Sequence, residues 1–258
     1  MQLLAVQFDI KWEDKPANFA KVRTLIESAR LEPDALVVLP EMFATGFSMN
    51  VDTIAEADGG ATEQFLKSLA IEFSIYATGG VVKKSLDGVR GLNQSVTFSP
   101  GGELVARYSK IHPFTFGTES DHYVGGRELL VFDAGDARVC PVVCYDLRFP
   151  ELFREGVSRG STLFTVIANW PAAREAHWVT LLQARAIENQ TYVVGVNRCG
   201  RDPKLAYSGR SLIVDPRGNI VSDAGCDEGV IEAEFDAAGL GAYRAEFPAL
   251  RDRRWPFP

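Results

Sequence analysis

The stretch Arg138–Leu152, "RVCPVVCYDLRFPEL", begins as a strand and ends as a helix. Apolar and β-branched residues run from Val139 to Val143, as in a strand buried on both faces. Pro150 and Glu151 carry a helix start signal: proline is tolerated in the first turn, and an acid there faces the positive end of the helix dipole. Between the two sits Cys144. A side chain at the C-terminal end of a strand, just before a turn, lies where open α/β sheets keep their active sites. A lone strand cysteine is more often a small buried hydrophobe, so the rest of the chain has to decide.

Strand and helix signals alternate around it. "LLAVQFDI" reads as a strand and "NFAKVRTLIESAR" as a helix with Asn18 available as its cap. "DALVVLPEM" reads as a buried strand ending at Pro40. A helix is expected near 62–72, and strands around 75–83, 93–99 and 103–108, the last two joined by the turn "SPGGE". Residues 109–128 are expected to form a long loop, of the kind that is usually functional or disordered. A hairpin near 129–133 and 138–143 leads to Cys144 and a helix at 150–159. The strand "STLFTVIANW", the amphipathic helix "REAHWVTLLQARAIENQ" and the strand "TYVVGVNR" follow. "SGRSLIVDPRGNIVSDAGCDEGVIEAEFD" reads as three strands with two turns, and a short helix and a tail, 246–258, close the chain. The pattern predicts two sheets packed face to face with helices outside, in one domain spanning 1–258. Trp255 and Phe257 in the tail suit docking on a partner subunit or on the chain's own body.

The 258 residues carry a formal charge of −7, which argues against nucleic acid or an anionic membrane as the main partner. No run is long and apolar enough to span a bilayer, and "MQLLAVQFDIKWED" has no basic leader segment, so the expected compartment is the cytosol. There the four cysteines are expected to be thiols. Cys140 and Cys144 lack a second Cys/His pair at zinc spacing, so no metal is expected.

Three chemically useful residues stand at predicted strand ends: Glu41 after "VVLP", Lys110 in "ARYSKIHPF", and Cys144. A carboxylate, an ammonium and a thiol at the mouth of one sheet suit nucleophilic acyl chemistry, although each taken singly is more often a surface charge or a core thiol. The segments "LPEMFATGF", "YSKIHPF" and "CYDLRFPE" resemble the three signature regions of the nitrilase superfamily of carbon–nitrogen hydrolases. "ANWP", "HWVTLLQARAIENQTYVVGVNR" and "YSGRSLIVDPRGNI" extend the resemblance over nearly the whole chain.

The resemblance implies a four-layer αββα sandwich that dimerises by helix packing, and a triad of Glu41, Lys110 and Cys144 acting without a cofactor. It also implies a supporting acid in "GTESDHYVGG", which makes Glu119 the match; attack by Cys144 would then be expected to place the oxyanion between the Lys110 ammonium and the backbone N–H of Tyr145. Asp146 and Arg148 are expected to brace the turn, and His112 to fix its loop, with structural roles for His122 and His177. "PEMFATGFSM", "ANWPAAREAHW" and "NRCGRD" are similar to the omega-amidase branch, whose substrates are small oxo-acid amides such as 2-oxoglutaramate and 2-oxosuccinamate. Such a substrate asks for a cation facing its carboxylate, for which Arg174 is the candidate, and an apolar wall, for which Phe43, Phe116 and Trp170 are candidates. Hydrolysis of N-carbamoyl amino acids, of other aliphatic amides or of nitriles remains open, as does a non-catalytic scaffold that kept the fold.

Overall fold

The computed structural model describes residues 1–86 and 88–254; Trp255 and Phe257 lie outside the described residues. Strands β1 (Gln2–Gln7), β2 (Leu36–Val38), β3 (Tyr76–Lys84), β4 (Gly91–Phe98) and β5 (Leu104–Ser109) lie side by side in chain order. Strands β6 (Phe132–Ala134), β7 (Ala137–Val143), β8 (Leu163–Ala168) and β9 (Tyr192–Asn197) begin a second sheet. A small hairpin, β10 (Cys199–Arg201) with β11 (Ala206–Ser208), stands apart, and β12 (Leu212–Val214) and β13 (Ile220–Asp223) extend the second sheet beyond β9. The last strand, β14 (Gly229–Glu234), crosses back and pairs antiparallel with β1. Helices α1 (Lys15–Ser28), α2 (Val51–Ile54), α3 (Ala61–Phe73), α4 (Glu119–His122), α5 (Pro150–Ser158), α6 (Glu175–Asn189) and α7 (Ala237–Glu246) complete the chain.

Alternation along the strands assigns the layers. Leu3 and Ala5 of β1, with Leu36 and Val38 of β2, join a core shared with Val142 and Val166 of the second sheet. Their neighbours Leu4, Val6 and Val37 join a different core with Val22 and Ile26 of α1 and Leu66 and Leu69 of α3. Strands buried on both faces read as unbroken apolar runs, which is why "LLAV" and "ALVV" show no polar alternation. Trp178, Leu182 and Ala186 of α6 and Phe153 of α5 cover the far side of the second sheet. The layers are therefore helix, sheet, sheet, helix.

β1, β2 and β3 are mutually parallel. Two antiparallel steps, β3 to β4 and β4 to β5, return β5 to the direction of β2, so both strands end at the same edge of the sheet. β7, β8 and β9 are likewise parallel. This topology collects the residues after β2, β5, β7 and β8 at one mouth, as the strand-end rule expects.

Two local expectations change. Asp14, rather than Asn18, caps α1: its Oδ1 accepts from the Ala17 N–H at 3.1 Å. Pro16 fits the first turn, where its missing N–H has no bond to lose. Asn18 is buried and ties the helix to the loop after β2, donating to the Lys11 and Ala44 carbonyls at 2.8 Å each. The β10–β11 hairpin was not expected, because each of its strands is only three residues long.

Gly80 of β3 lies directly beneath the chain after β2. A Cβ there would come within 2.1 Å of the Met42 nitrogen and 2.7 Å of Glu41 backbone atoms, none of which can swing aside. Gly80→Ala is expected to cost about 3 kcal/mol of stability through overpacking, and to lower activity by moving Glu41. A denaturant midpoint and a rate on the same sample check both effects; a variant of wild-type stability would contradict the close approach.

Candidate active site

Strand β7 ends at Val143, and Cys144 follows in the left-handed region, φ +48°, opening a 3-10 turn over Cys144–Arg148. Such a backbone costs a non-glycine residue about 1 kcal/mol or more and persists only where its surroundings hold it. Here the buried Asp146 does the holding. Its Oδ2 accepts from the Val143 N–H at 3.1 Å and the Tyr108 hydroxyl at 2.8 Å. Its Oδ1 accepts from the His112 backbone N–H at 3.0 Å and lies 2.9 Å from His112 Nδ1. Arg185 of α6 clamps the same turn from outside, its Nη2 donating to the Leu147 carbonyl at 2.8 Å. His112 stacks on Phe149 at 3.7 Å and so belongs to this brace.

Glu41 and Lys110 meet in the interior. Both are fully buried, and Lys110 Nζ lies 3.1 Å from Glu41 Oε1. Glu119 joins them: its carboxylate takes Lys110 Nζ at 3.0 and 2.8 Å through its two oxygens. The long loop exists to make this closure, since it carries Lys110 at its start and Glu119 at the head of α4. The Phe114 N–H donates to Glu119 Oε2 at 2.6 Å and fixes that acid from the loop side. Glu41 is held by Asn169, after β8, whose backbone N–H donates to Oε2 at 2.8 Å and whose amide donates to the Glu41 carbonyl at 2.6 Å. Asn93 of β4 donates to Glu41 Oε1 at 2.7 Å and to Glu119 Oε1 at 2.9 Å. Neither asparagine stands out in the sequence: Asn93 lies among the polar residues of β4, and Asn169 just past the end of β8.

Charge sets the resting state. Two acids, Glu41 and Glu119, share the single ammonium of Lys110 in a buried cluster. Burial alone would push the Lys110 ammonium down, but Glu119 and Glu41 hold it well above the ordinary lysine range. For Cys144, burial pushes the thiol well up, and the nearby Glu41 charge pushes it further, against the opposing pull of Lys110. Burial and the Glu41 charge therefore both favour the neutral thiol of Cys144 over its thiolate.

Cys144 opens into a cavity of about 370 Å³ walled by Trp12, Phe47, Met49, Phe114, Trp170 and Tyr207. Phe116, Trp170 and Arg174 line it. Tyr145 lines it too, its ring edge-on to Phe114 at 4.9 Å, and its backbone N–H lies in the first turn of the 3-10 segment, where the segment itself supplies no acceptor. Phe43 is a correction: its ring is fully buried in the outer core, 6.1 Å from both Phe19 and Phe65, and does not face the cavity. The left-handed Met42, φ +46°, turns the chain so that Glu41 points to the site and Phe43 to α1 and α3.

Arg148 is a second correction. It does not brace the turn but lines the cavity, its guanidinium 4.7 Å from the Trp170 ring centroid. Arg174 stands over Phe114 at 5.4 Å. Among the described residues neither arginine forms an ion pair, so two cations face the cavity without an acid of their own. Burial lowers the Arg148 pKa, and the neighbouring Arg174 charge lowers it further. His177 sits outside, 3.2 Å from Arg148 Nη2, and His122 ends α4.

A carbon-nitrogen hydrolase family model matches residues 3–245. The chain is 38% identical to omega-amidase YafV of Yersinia enterocolitica over 254 residues, covering 98% of this chain and 96% of that protein. It is 33% identical to a 2-oxoglutaramate amidase of Bacillus subtilis over 252 residues, covering 96% of each. The crystal structure of XC1258 from Xanthomonas campestris, a CN-hydrolase superfamily protein with an arsenic adduct in its active site, superposes with a TM-score of 0.92 at 36% identity, covering 98% of this chain and 97% of that one. With the αββα layers and nearly the whole chain accounted for, the protein belongs to the carbon–nitrogen hydrolase family, resembles its omega-amidases, and is an amide-hydrolysing enzyme.

Proposed function

We propose that this enzyme is a cysteine-dependent omega-amidase that hydrolyses the terminal amide of a small oxo-acid monoamide such as 2-oxoglutaramate or 2-oxosuccinamate. The observation that carries the reading is a thiol on a strained turn that lines a cavity together with two arginines outside any ion pair among the described residues, and that feels the charges of a buried Glu–Lys–Glu cluster behind it. The thiol and the cluster suit acyl transfer; the arginines ask for a substrate with a carboxylate.

In this mechanism Glu41 takes the proton from the Cys144 thiol as sulfur attacks the amide carbon. The tetrahedral oxyanion lies between the Lys110 ammonium and the Tyr145 backbone N–H. Glu41 returns its proton to the leaving nitrogen, ammonia departs, and a thioester remains on Cys144. Water, deprotonated by Glu41, attacks the thioester, and the thiol leaves with the proton. Glu119 acts through Lys110, which it grips with both oxygens. No step calls on a metal or organic cofactor.

Arg174 and Arg148 bind the substrate carboxylate, while Trp170 and Phe116 flank its short chain. Either Arg174→Ala or Arg148→Ala is expected to raise KM for an oxo-acid amide about 10- to 100-fold with kcat within a few fold, the loss of one charge-assisted hydrogen bond. A neutral aliphatic amide of the same length should feel neither change. Equal losses on both substrates would remove the arginines from this role.

The same reading gives one catalytic domain with 246–258 as a tail. It works in the cytosol, consistent with the four cysteines being free thiols. It pairs as a homodimer along α5, where Pro150, Glu151, Arg154 and Leu250 line a groove. Ammonia release from 2-oxoglutaramate, beside glutamine, an N-carbamoyl amino acid, a neutral aliphatic amide and a nitrile, tests the substrate. The expected kcat/KM for the oxo-acid amide is about 10⁴ M⁻¹s⁻¹ or more, at least a hundredfold above the others. Preference for the N-carbamoyl amino acid would keep the cavity argument and replace the substrate.

A further inference from the structure

Asn93 is 2% exposed, and its amide nitrogen reaches both acids of the cluster, Glu41 Oε1 at 2.7 Å and Glu119 Oε1 at 2.9 Å. Lys110 Nζ approaches the same two oxygens at 3.1 and 3.0 Å. The ammonium and the amide therefore grip one pair of carboxylate oxygens from two sides. The backbones are coupled as well, because the Lys110 N–H donates to the Asn93 carbonyl at 2.8 Å across the β4–β5 pair. The orientation of the amide is forced. Both of its nitrogen's partners are acceptors, and a flipped amide would point its oxygen at two carboxylates. Asn93 Oδ1 has no hydrogen-bond partner among the described residues.

We infer that Asn93 is a positioning residue of the reaction: it spans the two acids and keeps Glu41 free of a proton until the thiol supplies one. The inference rests on Glu41 being the general base. The titratable groups that face Glu41 are Lys110 at the end of β5, Glu119 on α4, Cys144 after β7, Tyr123 after α4 and Tyr207 on β11. Only Lys110 among them is a cation, and it serves two carboxylates. Without the two N–H groups of Asn93, the like charges of Glu41 and Glu119 face each other with one counterion, and proton uptake by the pair relieves the repulsion. A protonated Glu41 cannot accept the proton of Cys144, so activity would be lost on the acid side first.

The test is the pH profile of kcat/KM for amide hydrolysis by wild type, Asn93→Ala and Asn93→Thr. Threonine suits a strand and keeps one donor, which guards against a variant that fails to fold. The acid limb is expected to move up by roughly one to two pH units in Asn93→Ala and by less in Asn93→Thr, with KM near the wild-type value. A packing role alone would scale the rate down at every pH. An acid limb unmoved in both variants overturns the inference, however far the rate falls. That outcome leaves the triad reading standing, because the triad is judged separately by whether Cys144→Ala and Glu41→Gln lose turnover.

Discussion

Cys144→Ala is expected to abolish amide hydrolysis, with a fall in kcat of at least about 10⁴-fold, while leaving the fold intact. In the proposed reaction the sulfur is the atom that bonds to substrate, and no other thiol is placed to stand in. Cys140 and Cys199 are buried, and burial pushes Cys140 well up and Cys199 up to about 12, so neither forms a thiolate readily. Cys226 is exposed and does not line the cavity, and Cys226→Ser should keep full activity. Such losses are typical where nucleophile and base act as a unit. The variant should even gain a little stability, because alanine sheds a buried polar group on a strained turn. Circular dichroism and a thermal melt on the same sample separate lost chemistry from lost folding. Turnover within tenfold of wild type would end the covalent scheme.

Glu41→Gln is the second large effect, with kcat lowered about 10³–10⁴-fold by loss of the base. The same substitution has a less obvious consequence. Burial is the main reason the Cys144 thiol sits high, and the Glu41 charge is the next. Removing that charge leaves Glu119 and Lys110 as a neutral pair, so the thiol should titrate at lower pH than in wild type. Alkylation by iodoacetamide, followed against pH, should therefore show its rise at lower pH in the variant even as hydrolysis vanishes. A rise at higher pH would mean that Glu41 stabilises the thiolate, which contradicts the charge count of the site.

The fold was legible where burial imposed a pattern. Parallel strands covered on both faces leave unbroken apolar runs, and α6 shows its stripe from Trp178 to Ala186, so the layer order followed from the sequence. Strand ends were legible too, because Pro40 and the turn after Cys144 interrupt those runs, and with them the positions of Glu41, Lys110 and Cys144. What the sequence hid was direction. Glu41 and Phe43 are two residues apart after the same strand, yet the left-handed Met42 sends one into the site and the other into the outer core. Asp146 and Arg148 look alike as charged residues after the nucleophile. Only the packing assigns the first to the brace and the second to the cavity, since Asp146 finds Tyr108 and His112, which arrive from the far sheet and the long loop. Asn93 and Asn169 were obscure for a related reason: their value lies in partners more than 25 positions away, and no local spacing records it.

A thioester at Cys144, formed from an oxo-acid amide, is the central intermediate of the proposed reaction. Its most direct test is acid quenching of the enzyme during steady-state turnover of 2-oxoglutaramate, followed by peptide mass spectrometry. The predicted result is a mass increase equal to the oxoglutaryl acyl group, confined to the peptide that contains Cys144 and discharged by hydroxylamine. Steady ammonia release with no acyl group on that peptide, or with the group on another residue, would contradict it.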